Sequence, residues 1–273
     1  MPGRVFATHD IAVGEHQVVK RFRSWGRGEH QREWQALVML ASCAPDLAPA
    51  PIGCDLDSVP PYIRMSRVPG RPLAGQAITP RHLDAVTAAI NRLHAAVPAD
   101  TLAAVRPQPW LAAGAINRME SHLAAARRPD DAEPVVRAAF DAALRWLDDA
   151  ADPDPGALSP VFGQGDGNLA NYLWDGQQVR LVDFEDSGRS DRAFELAAFA
   201  EHLSVWHDAK IETGALLGRF QLTAAEDARV LFFRRGFGFF WLLKLLGAHE
   251  DRPAALQSQA LRLLVMLDSC GGS

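Results

Sequence analysis

Asp166, Asn171 and Asp183 are the residues of this chain whose types and spacing are best suited to chemistry. All three lie in the stretch from Phe162 to Asp191, which reads FGQGDGNLANYLWDGQQVRLVDFEDSGRSD. An aspartate, an asparagine five residues later and a second aspartate at the end of a short apolar run can supply an orienting or basic group for a hydroxyl and hard oxygen ligands for Mg2+. Phosphoryl transfer from a nucleotide asks for little covalent help beyond that. It does need a fixed cation for the phosphates. Lys20, inside a predicted strand, would supply the cation, and Glu33, on the helix that follows, would hold the lysine in place.

Local structure must bring these side chains together. Gly163, Gly165 and Gly167 deny the surroundings of Asp166 a stable helix. Tyr172-Leu173-Trp174, the Asp175-Gly176 turn and Gln178 to Val182 then predict a hairpin, with the three oxygen-bearing side chains at one end of a small sheet. Upstream, Val5, Ala7, Ile11 and Val13 precede a Gly14-Glu15 turn, and Gln17 to Phe22 reads as the strand that contains Lys20. The spacing of Trp34, Leu37, Val38 and Ala41 predicts a helix from Glu29 to Ser42, with Glu33 on its polar side beside the apolar stripe. Glu29, one turn earlier, competes for the place opposite Lys20.

Ile52 to Asp55 and Tyr62 to Val68 add two more strands before Pro69-Gly70 stops the run. Helices dominate beyond it: one starts at Thr79-Pro80, and others are expected over Trp110 to Ala126, Glu133 to Ala150, Phe194 to Trp206, and from the Thr223-x-x-Glu226 capping box toward Leu246. The expected organisation is an α+β fold with a small sheet lobe over 1–68 and a larger helical lobe over 69–273, joined internally by the DPDPGALSP linker before the catalytic stretch.

Composition excludes several classes. At 273 residues the chain can bury about three quarters of its unfolded surface, and 48% hydrophobic with 22% charged residues is an ordinary globular balance. A net charge of −5 offers no basic face for nucleic acid. Three cysteines, none in a C-x-x-C pair, point to a reducing cytoplasm rather than a disulfide framework. The first residues carry Asp10 and Glu15 and no apolar signal core, and the longest apolar run, Gly236 to Ala248, is interrupted by Lys244, so no membrane span is expected.

GQGDGNLAN followed by LVDFED resembles the H-G-D-x-x-x-x-N and I-D-[FW]-[EG] signatures of the aminoglycoside phosphotransferase and choline kinase-like family, and the resemblance extends over nearly the whole chain. It implies a two-lobed, protein-kinase-like fold that binds ATP or GTP with Mg2+ and phosphorylates a hydroxyl of a small molecule. Carried over by motif, Asp166 would be the catalytic aspartate, Asn171 and Asp183 the magnesium ligands, Lys20 the phosphate-binding lysine and Glu33 its partner. The backbone from Ser66 to Val68 would hold the purine. Gly188 to Ala197 is similar to the family's G-x-x-x-x-D-L-A tract.

Two positions depart from the pattern. Gln164 stands where the family has histidine, which keeps a hydrogen-bonding side chain without its titration. Few residues precede the Lys20 strand, so the nucleotide-covering loop is either missing or replaced by a shortened hairpin over His9 to His16. A nucleotide-binding pseudokinase is the alternative that this second departure motivates.

Acceptors in the resembling family include aminoglycosides, other antibiotics, choline and sugars. The helices between Pro80 and Ala150 and the region Glu201 to Trp206 are expected to shape the pocket. Glu201, Asp208, Glu212, Glu250 and Asp251 could attract a polycation or simply form a solvated face. Gly26-Arg27-Gly28 resembles a phosphate nest but lacks a following G-K-[ST] and reads as a turn. The nine histidines show no H-E-x-x-H or Cys/His cluster, so no structural metal is expected.

Overall fold

The computed structural model describes residues 9–152, 160–247 and 252–268. Val5, Ala7, most of the DPDPGALSP linker, Glu250, Asp251 and Cys270 lie outside the described residues. The described residues of Met1–Gln108 and Pro160–Arg189 form one compact unit, and those of Pro109–Ser159 and Ser190–Ser273 form a second.

The first unit begins with a hairpin of β1 (His9–Val13) and β2 (Gln17–Phe22), whose turn closes through a Gly14 N–H to Gln17 carbonyl bond. After α1 (Glu29–Cys43) come β3 (Pro51–Asp55) and β4 (Tyr62–Ser66), and the four strands pair antiparallel in the order β1-β2-β4-β3. Alternation in β2 sends Lys20 and Phe22 to the same buried face, with Lys20 opposite Ile63 on β4. The strand expected to reach Val68 ends at Ser66.

Helix α1 presents a different face from the one its apolar spacing predicts. Glu33, Ala36, Leu37 and Leu40 are buried, whereas Val38 and Ala41 are exposed. The helix is rotated so that a carboxylate shares the stripe with leucines. That placement is stable because Lys20 waits on the sheet to meet it.

The chain continues through β5 (Arg71–Pro72), α2 (Pro80–Ala96) and α3 (Ala99–Ala104). Thr79 caps α2 as expected, with His82 closing a capping box. After the second unit's first segment the chain returns as β6 (Val161–Gly163), β7 (Tyr172–Trp174), β8 (Val179–Leu181) and β9 (Gly188–Ser190). The predicted hairpin is present as β7 and β8, with Asp175 accepting from the N–H groups of Gln177 and Gln178 in the turn. β5 pairs with β7, and α2 packs on β6 and β8. Pro69 and Gly70 belong to this unit. Leu181 N–H bonds to the Leu47 carbonyl, which ties the segment after α1 to the hairpin.

The second unit is helical: α4 (Pro109–Ala112), α5 (Ala115–Ala124), α6 (Pro134–Asp149), α7 (Arg192–Glu201), a π-helical turn over Ser204–Asp208, α8 (Thr213–Leu217), α9 (Ala224–Leu246) and α10 (Pro253–Asp268). The helix expected over Trp110 to Ala126 is interrupted at Gly114, whose φ of 80° is left-handed and whose missing Cβ would lie 2.8 Å from Asp152 Oδ2. Asp152 Oδ1 accepts from Ile116 N–H and so caps α5. The helix expected to reach Trp206 stops at Glu201 and resumes as the π turn. No reading of the sequence anticipated α10, although Pro253 at its first turn and Leu256, Ala260 and Leu263 at helical spacing carry the signal.

Helix α9 passes through the core of this unit, where Phe239, Leu242, Phe140, Leu256, Leu263 and Met266 meet. Its two inner glycines behave differently. A Cβ at Gly238 would lie 2.8 Å from Met266 Cε and 3.1 Å from Leu263 Cδ1, whereas at Gly236 the nearest atoms are Trp146 Cη2 at 3.9 Å and Met119 Cγ at 4.0 Å. Gly236→Ala is expected to raise stability by about 1 kcal/mol, the helix-propensity gain, and Gly238→Ala to lower it by roughly 1–3 kcal/mol through overpacking. Thermal denaturation of the two variants checks this; equal effects would show that packing around Gly238 does not exclude a methyl group.

Candidate active site

Gly165 places the loop that carries Asp166. Its φ is 81°, and a Cβ there would sit 2.4 Å from the Asp186 carbonyl oxygen, so only glycine lets the loop after β6 lie against the segment after β8. Gln164, in the family's histidine position, donates from Nε2 to the Val182 carbonyl at 2.6 Å. That bond fastens the loop to the end of β8. Asn168 caps the short 3-10 turn Leu169–Asn171 through Ala170 N–H, and Val182 N–H bonds to the Asn171 carbonyl. Asn171 and Asp183 are thereby held on neighbouring backbone segments.

Asp166 accepts from Asn168 N–H on Oδ1 at 3.0 Å and from Asn171 Nδ2 on Oδ2 at 2.9 Å. Burial raises its pKa to about 6, aided by the charge of Asp183, while the two hydrogen bonds oppose the shift without overcoming it. A carboxylate poised near neutrality can hold or release a proton within the working range of an enzyme.

Asp183 lies at φ 66°, a left-handed conformation uncommon outside glycine and asparagine. The fully buried Phe184 side chain anchors it, and a Ser187 N–H to Phe184 carbonyl bond closes the following turn. This backbone turns the Asp183 carboxylate toward Lys20, whose Nζ is 2.6 Å from Oδ1. The same nitrogen lies 2.6 Å from Glu33 Oε2 and 3.4 Å from Glu185 Oε2, and 4.9 Å from the Phe22 ring centroid. Between the two glutamates that competed for the lysine, Glu33 makes the contact. Glu29 instead accepts from the Arg27 backbone and side chain, and Gly26-Arg27-Gly28 is a turn closed by Gly28 N–H to the Trp25 carbonyl.

Charge in this cluster is unbalanced. Three carboxylates surround one ammonium group. Burial opposes protonation of Lys20, but Glu33, Asp183 and Glu185 outweigh it and raise its pKa. Burial pushes Glu33 above the ordinary carboxylate range despite Lys20. Burial opposes ionisation of Asp183 too, yet His9 and Lys20 prevail and hold it below that range. Oxygen donors in such numbers, under-compensated by fixed cations, suit a hard divalent ion, so Mg2+ fits the residues present.

Sequence reasoning assigned no role to His9. From β1 its Nδ1 lies 3.3 Å from Glu185 Oε2 and its Nε2 lies 3.6 Å from Asp183 Oδ2. Ser66 ends β4, and Val68 lies two residues beyond it. The Ser66 N–H bonds to the Ala50 carbonyl, and the Ser66 hydroxyl, rather than its carbonyl, takes the Ala50 N–H at 2.8 Å. The intervening Arg67 N–H pairs with the His16 carbonyl on the other side of the strand.

Of the acids that could attract a polycation or form a solvated face, Glu201 and Glu212 are engaged within the protein. Glu201 is fully buried in the second unit between Arg234, 2.6 Å from Oε1, and Arg262, which donates to both oxygens at 2.7 and 2.8 Å. Glu212 caps α8. Asp208 is exposed.

A strand lysine paired with a glutamate of the helix packed beside it, with an Asp-x-x-x-x-Asn loop and an Asp-Phe-Glu turn next to them, is the arrangement of a kinase-like phosphotransferase. The chain belongs to the phosphotransferase enzyme family, whose sequence model matches residues 6–233, and it is a small-molecule phosphotransferase. No curated protein matches it in sequence. Among solved structures, the GDP complex of a mutant aminoglycoside 2'-phosphotransferase-IIIa is similar with a TM-score of 0.67 and 19% identity, over 98% of this chain and 90% of that one. A choline/ethanolamine kinase family protein from Mesorhizobium loti gives 0.61 and 17%, over 96% and 85%. A thermostable mutant of aminoglycoside phosphotransferase APH(4)-Ia, in a ternary complex with AMP-PNP and hygromycin B, gives 0.61 and 16%, over 98% and 95%. The protein-kinase-like fold expected from the motifs is thus the fold of this chain. Among the described residues, no helix is long and apolar enough to cross a membrane.

Proposed function

We propose that this enzyme transfers the γ-phosphoryl group of ATP or GTP to a hydroxyl of an aminoglycoside or other antibiotic-like compound, with Asp166 as the general base. The observation that carries the reading is the convergence of Lys20, Glu33 and Asp183, beside an Asp166 that is bonded to Asn171 and feels the charge of Asp183. The acceptor hydroxyl gives its proton to Asp166 as its oxygen attacks the γ-phosphorus in line. The bond from that phosphorus to the β–γ bridging oxygen breaks, and the nucleoside diphosphate leaves. Asn171 and Asp183 would hold Mg2+, which supplies charge neutralisation at the phosphate oxygens when bound. Lys20, fixed by Glu33, contacts the α- and β-phosphates.

The nucleotide is assigned to the N-terminal lobe, 1–68, with its purine against the backbone of Ser66 and Val68. The Ser66 hydroxyl frees the Ser66 carbonyl from Ala50, which supports that assignment. Residues 69–273 carry the catalytic loop and the acceptor pocket. Complexes of similar structures with GDP and with AMP-PNP support nucleotide use without choosing the base. Engagement of Glu201 by two arginines gives no special support to polycations, so choline- and sugar-type acceptors stay in the test. A phosphotransfer screen with ATP and GTP over aminoglycosides, peptide and nucleoside antibiotics, choline and sugars is expected to yield one acceptor class with Mg2+-dependent turnover. Mg2+-nucleotide binding without transfer to any of them would count against the reading.

A further inference from the structure

We propose that His9, Asp183 and Glu185 form a divalent-cation site of mixed nitrogen and oxygen character that binds a transition-metal ion such as Zn2+ in the nucleotide-free protein. One ligand atom from each of the three residues lies within 4.8 Å of the others. Tetrahedral bonds of about 2.0–2.1 Å place neighbouring ligand atoms roughly 3.4 Å apart; His9 Nδ1 lies 3.3 Å from Glu185 Oε2, while the other ring nitrogen, Nε2, lies 3.6 Å from Asp183 Oδ2, so an ion held by one of the two nitrogens requires only a small shift of the second carboxylate. Lys20 occupies Asp183 Oδ1, so Oδ2 is the oxygen turned to the imidazole. His9 is only 10% exposed at its side chain, against 25% for Asp183 and 16% for Glu185, so the more open side of the cluster is the carboxylate side.

The local charge points the same way. Glu33, Asp183 and Glu185 share one ammonium group. A divalent cation would relieve this excess. Mg2+ prefers an all-oxygen shell and gains little from imidazole, whereas Zn2+ takes histidine and carboxylate together. His9 is therefore the residue that widens metal choice at a site otherwise built of oxygen. The inference rests on the proposed role of Asp183 as a metal ligand and adds His9 and Glu185 to it.

Titration calorimetry of the nucleotide-free protein with Zn2+ and with Mg2+ tests it. One Zn2+ should bind at least about tenfold more tightly than Mg2+, and His9→Ala and Glu185→Gln should each weaken Zn2+ by at least about tenfold. His9→Ala should leave Mg2+ affinity within about threefold. His16→Gln, on an exposed histidine of the same hairpin, should change neither. Circular dichroism checks that the variants fold, and if His9→Ala does not, Glu185→Gln carries the test. Zn2+ affinity unchanged in the folded variants, or no tighter than Mg2+ in the wild type, overturns the site. Mg2+-ATP and Mg2+-GTP titrations separate the two readings: their failure in a protein that binds Zn2+ through His9 sinks the proposed function alone, and the reverse result sinks this inference alone.

Discussion

Asp166→Asn is expected to lower phosphoryl transfer roughly 10^2- to 10^4-fold at saturating acceptor, the usual contribution of a general base, and at the same time to raise stability at neutral pH. The second effect follows from burial, which brings the Asp166 pKa to about 6. A folded-state pKa above the unfolded value means that the native protein keeps a proton the unfolded chain has lost. Stability from this group is full below the unfolded pKa of 3.8 and is lost as pH rises through about 6. At neutral pH the ionised carboxylate thus costs up to about 3 kcal/mol, an upper bound because the side chain keeps some solvent contact. Asparagine cannot ionise and recovers part of it. Activity runs the opposite way with pH: the base must be deprotonated, so kcat/KM should fall about tenfold per unit below pH 6. Slowed turnover with an increased denaturation midpoint is the expected pair of results. An unchanged turnover number would remove Asp166 from the mechanism.

Lys20→Met is expected to cost about 3–5 kcal/mol of stability at pH 8, because it strands a buried carboxylate. Lys20 and Glu33 are 3% and 1% exposed, so neither can turn to water. Glu33 already sits above the ordinary carboxylate range through burial and the nearby charges of Asp183 and Glu185. Without the lysine its folded-state pKa rises further, and the native variant takes up a proton. Stability is then retained at low pH and lost as pH rises through that elevated pKa, so the deficit should be smaller at pH 6 than at pH 8. Adding Glu33→Gln should restore most of the loss at pH 8 without restoring Mg2+-nucleotide binding. Urea denaturation of the single and double variants at the two pH values measures this. A Lys20→Met protein as stable as the wild type at pH 8 would mean that the ion pair contributes nothing to the fold.

Much of the candidate site was legible in the sequence because its parts are local. The glycines around Asp166, the Asp175-Gly176 turn and the apolar alternation of β7 and β8 act within a few residues, and they place Asn171 and Asp183 together whatever the rest of the chain does. The caps at Thr79 and Thr223 are equally local, and both helices begin where the cap residues say. The order of lysine, glutamate, aspartate, asparagine and aspartate along the chain was enough to name the reaction class.

What only the tertiary structure decided depends on contacts between distant segments. Glu33 rather than Glu29 meets Lys20 because α1 rotates a carboxylate into its buried stripe, a choice that helical periodicity scores as an error and that an ammonium group on another strand makes favourable. His9 reaches Asp183 and Glu185 from the first described strand, across a separation that no motif spacing encodes. Glu201 carries the same charge in the sequence as any surface acid, yet two arginines from α9 and α10 enclose it. Local physics wrote the loop and turn that carry Asp166, Asn171 and Asp183. The packing of distant charges decided which acids are spoken for and left His9 beside Asp183 and Glu185.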